Sequence, residues 1–382
     1  MAPAPIDSAY ATLEAELEVL LPRRELVLDA HTHLGLDEDG QKLAVGELLA
    51  YLDLLSPQAR ACVFPLHDPE RQPAYRMPND RVLAWAREAD GRLVPYCRLD
   101  PADDPIGEAE RCLALGARGI KLHPRAQSFG FGNSTASAIF DVARDAAVPI
   151  LIHAGRGMPP MDALADLALR YPEVTLVLAH AGIADQGMFA TRLAEHPAIL
   201  YDTSTFSAPD LLELFARVPA ERIVFASDMP YGRPIGGLFH TMRIAAYAGL
   251  DMSEREAVAG ATMAGVLEAG TLPTARPPRL PQARAVSGRL ARISAYLSNA
   301  MGAITGSAPP LQPAKALPGV ALARNVCRDP DPGPVGPALE WIDSLLAGVE
   351  EHATVPDQDP FLVLGLVMAA ATIAATEPVA AP

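Results

Sequence analysis

Two histidines one residue apart, His31 and His33, close the apolar run L-V-L-D-A-H-T-H-L-G at residues 26–35. Side chains alternate faces along a strand, so residues i and i+2 share a face and both imidazoles can converge on one point. Two neutral imidazoles so placed suit zinc or another first-row divalent ion. The same pair also occurs as ordinary polar strand-end residues, so further donors decide between the readings. Three later apolar runs supply them: His153 in P-I-L-I-H-A-G, His180 in L-V-L-A-H-A-G and Asp228 in I-V-F-A-S-D-M-P. Four imidazoles and a carboxylate can surround one ion, leave a position for water and spare a group for proton transfer. The glycine two residues after each of His153 and His180 lets the chain turn sharply there.

These residues need a scaffold that brings several strand ends to one place. Strand patterns fall at residues 26–35, 60–65, 92–99, 118–123, 148–153, 174–180, 198–203 and 222–228, and each is followed by a helical pattern. That rhythm is consecutive βαβ units. Several strands are apolar throughout, as parallel strands covered on both faces are. A doubly wound open sheet would gather its chemistry at one switch point and usually opens with a glycine-rich phosphate loop. Polar residues at the ends of several strands instead predict an α/β fold of the (β/α)8 TIM-barrel type, with the site at its C-terminal mouth. Residues 8–20 carry Leu13, Leu17 and Leu20 at helical spacing and predict a helix packed outside the barrel.

The chain of 382 residues is half apolar, with a formal net charge of −15, which argues against a nucleic-acid footprint and against adhesion to anionic membranes. Cys62, Cys97, Cys112 and Cys327 show no C-x-x-C spacing and read as reduced thiols. The first residues lack a basic segment followed by an apolar one, so a cytoplasmic setting is expected. The expected division is a barrel over residues 1–270, then a proline-rich linker and α-helical C-terminal extension over 271–382. Within the extension, Leu290, Ile293, Leu297, Met301 and Ile304 form one helical stripe and residues 338–349 another. Residues 361–375 form an apolar run too short to span a bilayer, and read as a buried helix. The extension's helices could pack on the barrel or on a second subunit, so a homodimer is open.

The motifs D-A-H-T-H-L-G, G-I-K-L-H-P, P-I-L-I-H-A-G, L-V-L-A-H-A-G and I-V-F-A-S-D-M-P, in this order over residues 26–268, resemble the amidohydrolase superfamily. The similarity is to the amidohydrolase-related branch that includes 2-amino-3-carboxymuconate semialdehyde decarboxylase. The resemblance implies a small-molecule enzyme with one divalent metal ion, commonly zinc, held by His31, His33, His153 and Asp228. It also implies that His180 moves protons at the centre. The branch contains hydrolases, in which activated water attacks an amide, ester or lactone carbonyl, and nonoxidative decarboxylases of unsaturated or aromatic acids. Hydrolysis is the expectation and decarboxylation the alternative; a non-catalytic barrel working through its C-terminal helices is a third reading.

Five further residues are candidate substrate contacts. Lys121 and His123 end the fourth strand, and in other branches a carboxylated lysine there bridges two metals, so a binuclear site is an alternative. Arg125 and Arg156 could each grip a substrate carboxylate with two N–H groups. His67 ends the second strand in P-L-H-D. His196, His240 and His352 fall in helical or tail segments and read as structural or solvated.

Overall fold

A computed structural model of the protein describes residues 5–155, 161–183, 185–278, 287–306, 311–330, 333–355 and 359–377. Helix α1 (Pro5–Leu20) precedes the barrel. The strands are β1 (Leu28–Leu36), β2 (Arg60–Pro65), β3 in two pieces (Leu93–Pro95 and Cys97–Arg98), β4 (Ile120–Leu122), β5 (Ile150–Ile152), β6 (Leu176–Leu178), β7 (Ile199–Asp202) and β8 (Ile223–Val224). After them come, in turn, α2 (Val45–Leu55), α3 (Arg76–Glu88), α4 (Pro105–Ala114), α5 (Ser134–Asp145), α6 (Asp162–Arg170), α7 (Gln186–Arg192), α8 (Ala208–Arg217) and α9 (Pro234–Tyr247). All neighbouring barrel strands run parallel. The two pieces of β3 flank Tyr96, the first pairing with β2 and the second with β4. Closure comes from a parallel bridge between Thr32 and Met229, with the His33 amide donating to the Met229 carbonyl and the Asp228 amide to the His31 carbonyl. The expected closed (β/α)8 barrel is present.

Alternate residues of the strands explain why they read as apolar throughout. Leu28, Cys62, Phe64, Val94, Tyr96, Leu151, Val177, Leu200 and Val224 fill the barrel, while Ala61, Val63, Ile120, Leu122, Ile150, Ile152, Leu176 and Ile223 pack under the helices. Both faces of each strand are therefore buried. Met263, Val266 and Leu267, on α11 (Thr262–Ala269) after the short α10 (Met252–Glu256), also belong to the inner cluster. Between α10 and α11 the helix widens over Ala257–Ala261, where a Cβ on Gly260 would meet the Leu26 carbonyl oxygen at 2.0 Å. Only glycine lets this segment lie against the entry to β1.

The extension contains α12 (Gly288–Thr305), α13 (Leu317–Cys327), α14 (Gly336–His352) and α15 (Pro360–Thr376). Of these, α13 was not anticipated, because Pro318 and Gly319 interrupt its start and read as a turn. Helix α15 is buried on every side, as a helix without a polar face must be. It lies on α9, α12 and α14, and α1 packs on α9 and α14. Gly365 lets α1 lie close to α15, since a Cβ there would meet the Tyr10 hydroxyl oxygen at 2.5 Å. His240 Nδ1 meets Thr372 Oγ1 at 2.6 Å, and Arg243 pairs with Glu16 and Glu377. No helix among the described residues is long and apolar enough to cross a membrane. All four cysteines are free thiols.

Candidate active site

The two histidines of β1 reach the barrel mouth because of an irregularity in their strand. Leu28 and Ala30 point into the barrel, and strict alternation would turn His31 and His33 outward. The register with β2 shifts between Asp29 and Thr32, so that an extra residue of β1 is accommodated and the phase reverses. Bulges of this kind re-aim side chains near active sites. Leu34, beyond the bulge, accordingly packs on the outer side. Asp228 enters from the other side of the seam in the left-handed backbone region, with φ 57°. An aspartate held there at a barrel mouth is strain of the sort found at functional sites.

These elements converge. His31 Nε2 lies 3.3 Å from His33 Nε2, and each is 3.1 Å from Asp228 Oδ1. The three form the single group of potential metal donors among the described residues. Nitrogen and oxygen donors about 2.0–2.1 Å from a tetrahedral ion are separated from one another by roughly 3.3 Å, so the donor set fits zinc in both spacing and chemistry. Burial, with the Lys121 ammonium beside it, pushes the His31 pKa well below its usual value, and burial also lowers that of His33. Both rings are thus in the neutral form that ligates. Burial alone would raise the Asp228 carboxyl, but its His33 hydrogen bond opposes this and the group stays below the usual carboxylate range.

Asp202, at the end of β7, organises this centre and was missed from sequence. Its Oδ2 accepts from His31 Nδ1 at 2.8 Å, and its Oδ1 accepts from the His180 amide, the Ser204 amide and Ser204 Oγ. The bond to Nδ1 leaves the His31 Nε2 lone pair facing His33 and Asp228. The one available signal was an aspartate at a strand end in I-L-Y-D-T-S, which lacks the histidine-glycine context of the others.

His180 and Ala181 are also in the left-handed region, with φ 58° and 57°. His180 Nδ1 lies 2.9 Å from the Ser204 carbonyl oxygen, which can only accept, so that nitrogen carries the proton. His180 Nε2 then accepts from His153 Nδ1 at 2.9 Å, leaving His153 Nε2 as a buried lone pair without a partner among the described residues. His153 lies beside the His31–His33–Asp228 group and outside it. Its ring stacks on His123 with centroids 3.9 Å apart, and burial pushes the pKa of both well down. A Cβ on Gly155 would approach His153 Nε2 to 3.0 Å and His180 Cδ2 to 3.1 Å, so this glycine leaves room for the pair.

The remaining candidates separate. Lys121 is fully buried over the Phe64 ring, with Nζ 3.3 Å from His31 Nε2, and burial brings its pKa down to about 7. It therefore faces the donor group. His67, His123 and Arg125 line a cavity of about 520 Å3 above that group. Arg156 lies outside the described residues. The cavity also exposes Arg98, from the end of β3, which sequence reasoning passed over as a strand residue. Arg98 donates to the Pro65 carbonyl and to His67 Nδ1, its Nε has no partner, and among the described residues no carboxylate forms an ion pair with it. His196 and His240 are buried, as structural residues should be.

A sequence profile of the family described as amidohydrolase matches residues 29–262. No curated protein matches the chain. Among solved structures, an amidohydrolase II resembles it with 15% identity and a TM-score of 0.51, covering 63% of this chain and 99% of that one. A 2,6-dihydroxybenzoate decarboxylase complexed with 2,6-dihydroxybenzoate does so with 15% identity and a TM-score of 0.50, covering 63% and 98%. The IDCase of Metarhizium anisopliae in its apo form gives 14% and 0.50, covering 63% and 96%. At these identities the likeness is one of fold.

Proposed function

Because the chain belongs to the amidohydrolase family, we propose that this enzyme is a metal-dependent hydrolase of an amide, ester or lactone bond in a small molecule. The convergence of His31 Nε2, His33 Nε2 and Asp228 Oδ1 within 3.3 Å of one another carries the reading. We assign one zinc ion per chain, held by these three with His153, whose buried Nε2 has no partner among the described residues. A divalent ion there lowers the pKa of bound water toward neutrality and stabilises negative charge developing on oxygen.

The chain's own residues supply the rest. Asp202 fixes the His31 tautomer and the His180 backbone at once. His180, with its Nδ1 proton committed to the Ser204 carbonyl, would move protons through Nε2, exchanging the bond that this nitrogen accepts from His153 Nδ1 for one from water. Lys121 directs its amine at His31, which supports a single-ion centre over a lysine-bridged pair. Arg98 and Arg125 are the cavity cations available to a substrate carboxylate. The buried Arg98, without an ion-pair partner among the described residues, favours decarboxylation of a carboxylic acid as the second reading. The acidic composition and free thiols support a cytoplasmic setting.

The two readings part in one experiment. Zinc-loaded enzyme is incubated with a panel of lactones, esters and amides, followed by acid release, and with a panel of aromatic and unsaturated acids, followed by carbon dioxide release. Hydrolysis abolished by a chelator and by His180→Ala is the expected result; carbon dioxide release without hydrolysis establishes the alternative, and neither activity rejects both.

A further inference from the structure

The family profile ends at residue 262, yet the cavity above the donor group is walled in part by residues beyond it: Thr305 at the end of α12, Leu311, and Phe361 in the first turn of α15. Phe361 is held in place by several independent contacts. Asp359 caps α15 by accepting from the Phe361 amide at 2.9 Å, and the same side chain takes an ion pair from the nearly buried Arg233. Arg233 also donates to the Pro230 and Gly232 carbonyls, which ties the start of α15 to the loop that carries Asp228. Its guanidinium lies over the Phe361 ring, 5.4 Å from the centroid. Phe361 in turn meets Tyr231 edge-on at 6.1 Å, and Tyr231 meets His33 edge-on at 5.7 Å. An unbroken chain of contacts therefore runs from the extension to the donor group.

The same cavity is lined by Arg98, Arg125 and His123, and by the carboxylates Asp37 and Asp39. Resting on the functional reading above, we propose that Phe361 is a specificity-determining residue: the extension's aromatic wall packs on the flat apolar body of a small carboxylic acid whose carboxylate is taken by Arg98 and Arg125. A barrel lacking the extension would leave that side of the mouth open. On this proposal the bulk of Phe361 restricts the size of the acid that fits, and edge or face contact with Phe361 and Tyr231 rewards planarity.

Benzoate and biphenyl-4-carboxylate serve as probes, titrated calorimetrically into zinc-loaded and into metal-stripped full-length protein. Wild type is expected to prefer benzoate. Phe361→Ala should weaken benzoate on the order of tenfold, the scale of a lost aromatic contact, and shift the preference toward the biphenyl acid. Phe361→Leu should fall between, and Phe361→Trp, which narrows the mouth, should disfavour the larger acid further. Arg98→Gln should weaken both acids alike. Thermal melts confirm folding, and the Leu and Trp variants keep the test open if the Ala variant unfolds. Unchanged benzoate affinity and unchanged size preference in the folded Phe361 variants, or no binding of either acid to wild type, overturns the proposal. Zinc content and turnover are read separately. Failure of the wall with both intact leaves the functional reading standing, and loss of turnover with the size shift intact does the reverse.

Discussion

Replacing Asp202 with Asn keeps the shape of the side chain and changes the proton on His31, which makes it a sharp test of how the centre is built. The amide has two ways to sit. With its oxygen toward His31 it would turn an NH2 toward the His180 amide, the Ser204 amide and Ser204 Oγ, replacing an acceptor of three hydrogen bonds by a donor. With its oxygen in the Oδ1 position only the His31 contact is affected, so this orientation wins by two or more buried hydrogen bonds, each costing about 1–3 kcal/mol when left unmade. The NH2 then faces His31 Nδ1, which must become an acceptor, and the imidazole proton moves to Nε2. Asp228 Oδ1, 3.1 Å away, accepts the hydrogen bond from this Nε2–H. The fold survives with a loss of about 1 kcal/mol, but the nitrogen that should bind the ion is now protonated. Partners of this kind typically carry 10–100-fold in metal affinity. Zinc competition against a chromogenic chelator, with a thermal melt alongside, is the assay. An Asp202→Asn protein with wild-type zinc affinity would refute the argument, as would one that fails to fold.

His180→Ala should retain zinc while turnover falls on the order of 10²–10⁴, the usual contribution of a positioned proton-transfer group, measured on whichever substrate the panels identify; undiminished turnover removes it from the mechanism. His240 offers a pH test of how the extension is docked. Burial lowers its pKa to about 3, so below an unfolded value near 6.5 the unfolded chain takes up a proton that the fold refuses, and stability drops as pH falls through that window. At pH 4.5, two units below, this one group destabilises the fold by about 3 kcal/mol. His240→Gln should lack that increment in denaturant melts at pH 7 and 4.5, and an identical pH dependence in the two proteins contradicts the account.

Sequence patterning revealed the barrel because each of its strands buries both faces and each helix one, and those two periodicities are written locally. The strand-end candidates His31, His33, His153, His180 and Asp228 were legible for the same reason that they are strand ends: an apolar run stopping at a histidine or aspartate. What brings His31 and His33 inward was not legible, since the bulge after Asp29 depends on how β1 pairs with β2 and leaves no local mark. Asp202 and Arg98 were passed over because their importance lies in partners far along the chain, His31 and His180 for one and the cavity for the other. Helix α13 was hidden by a proline and a glycine that in three dimensions sit in its first turn, the glycine against the Tyr296 carbonyl of α12. The extension's reach to the mouth is likewise a tertiary fact, set by the pairing of Arg233 with Asp359.

The central claim is that one ion sits among His31, His33, His153 and Asp228 while His180 stands beside it. Metal stoichiometry by elemental analysis of the purified protein and of five single Ala variants at these positions tests it most directly. The account predicts about one zinc per chain in wild type and in His180→Ala, and near zero in His31→Ala, His33→Ala, His153→Ala and Asp228→Ala, all folded. Two ions per wild-type chain, full metal content in Asp228→Ala, or loss in His180→Ala equal to that in His153→Ala would contradict it.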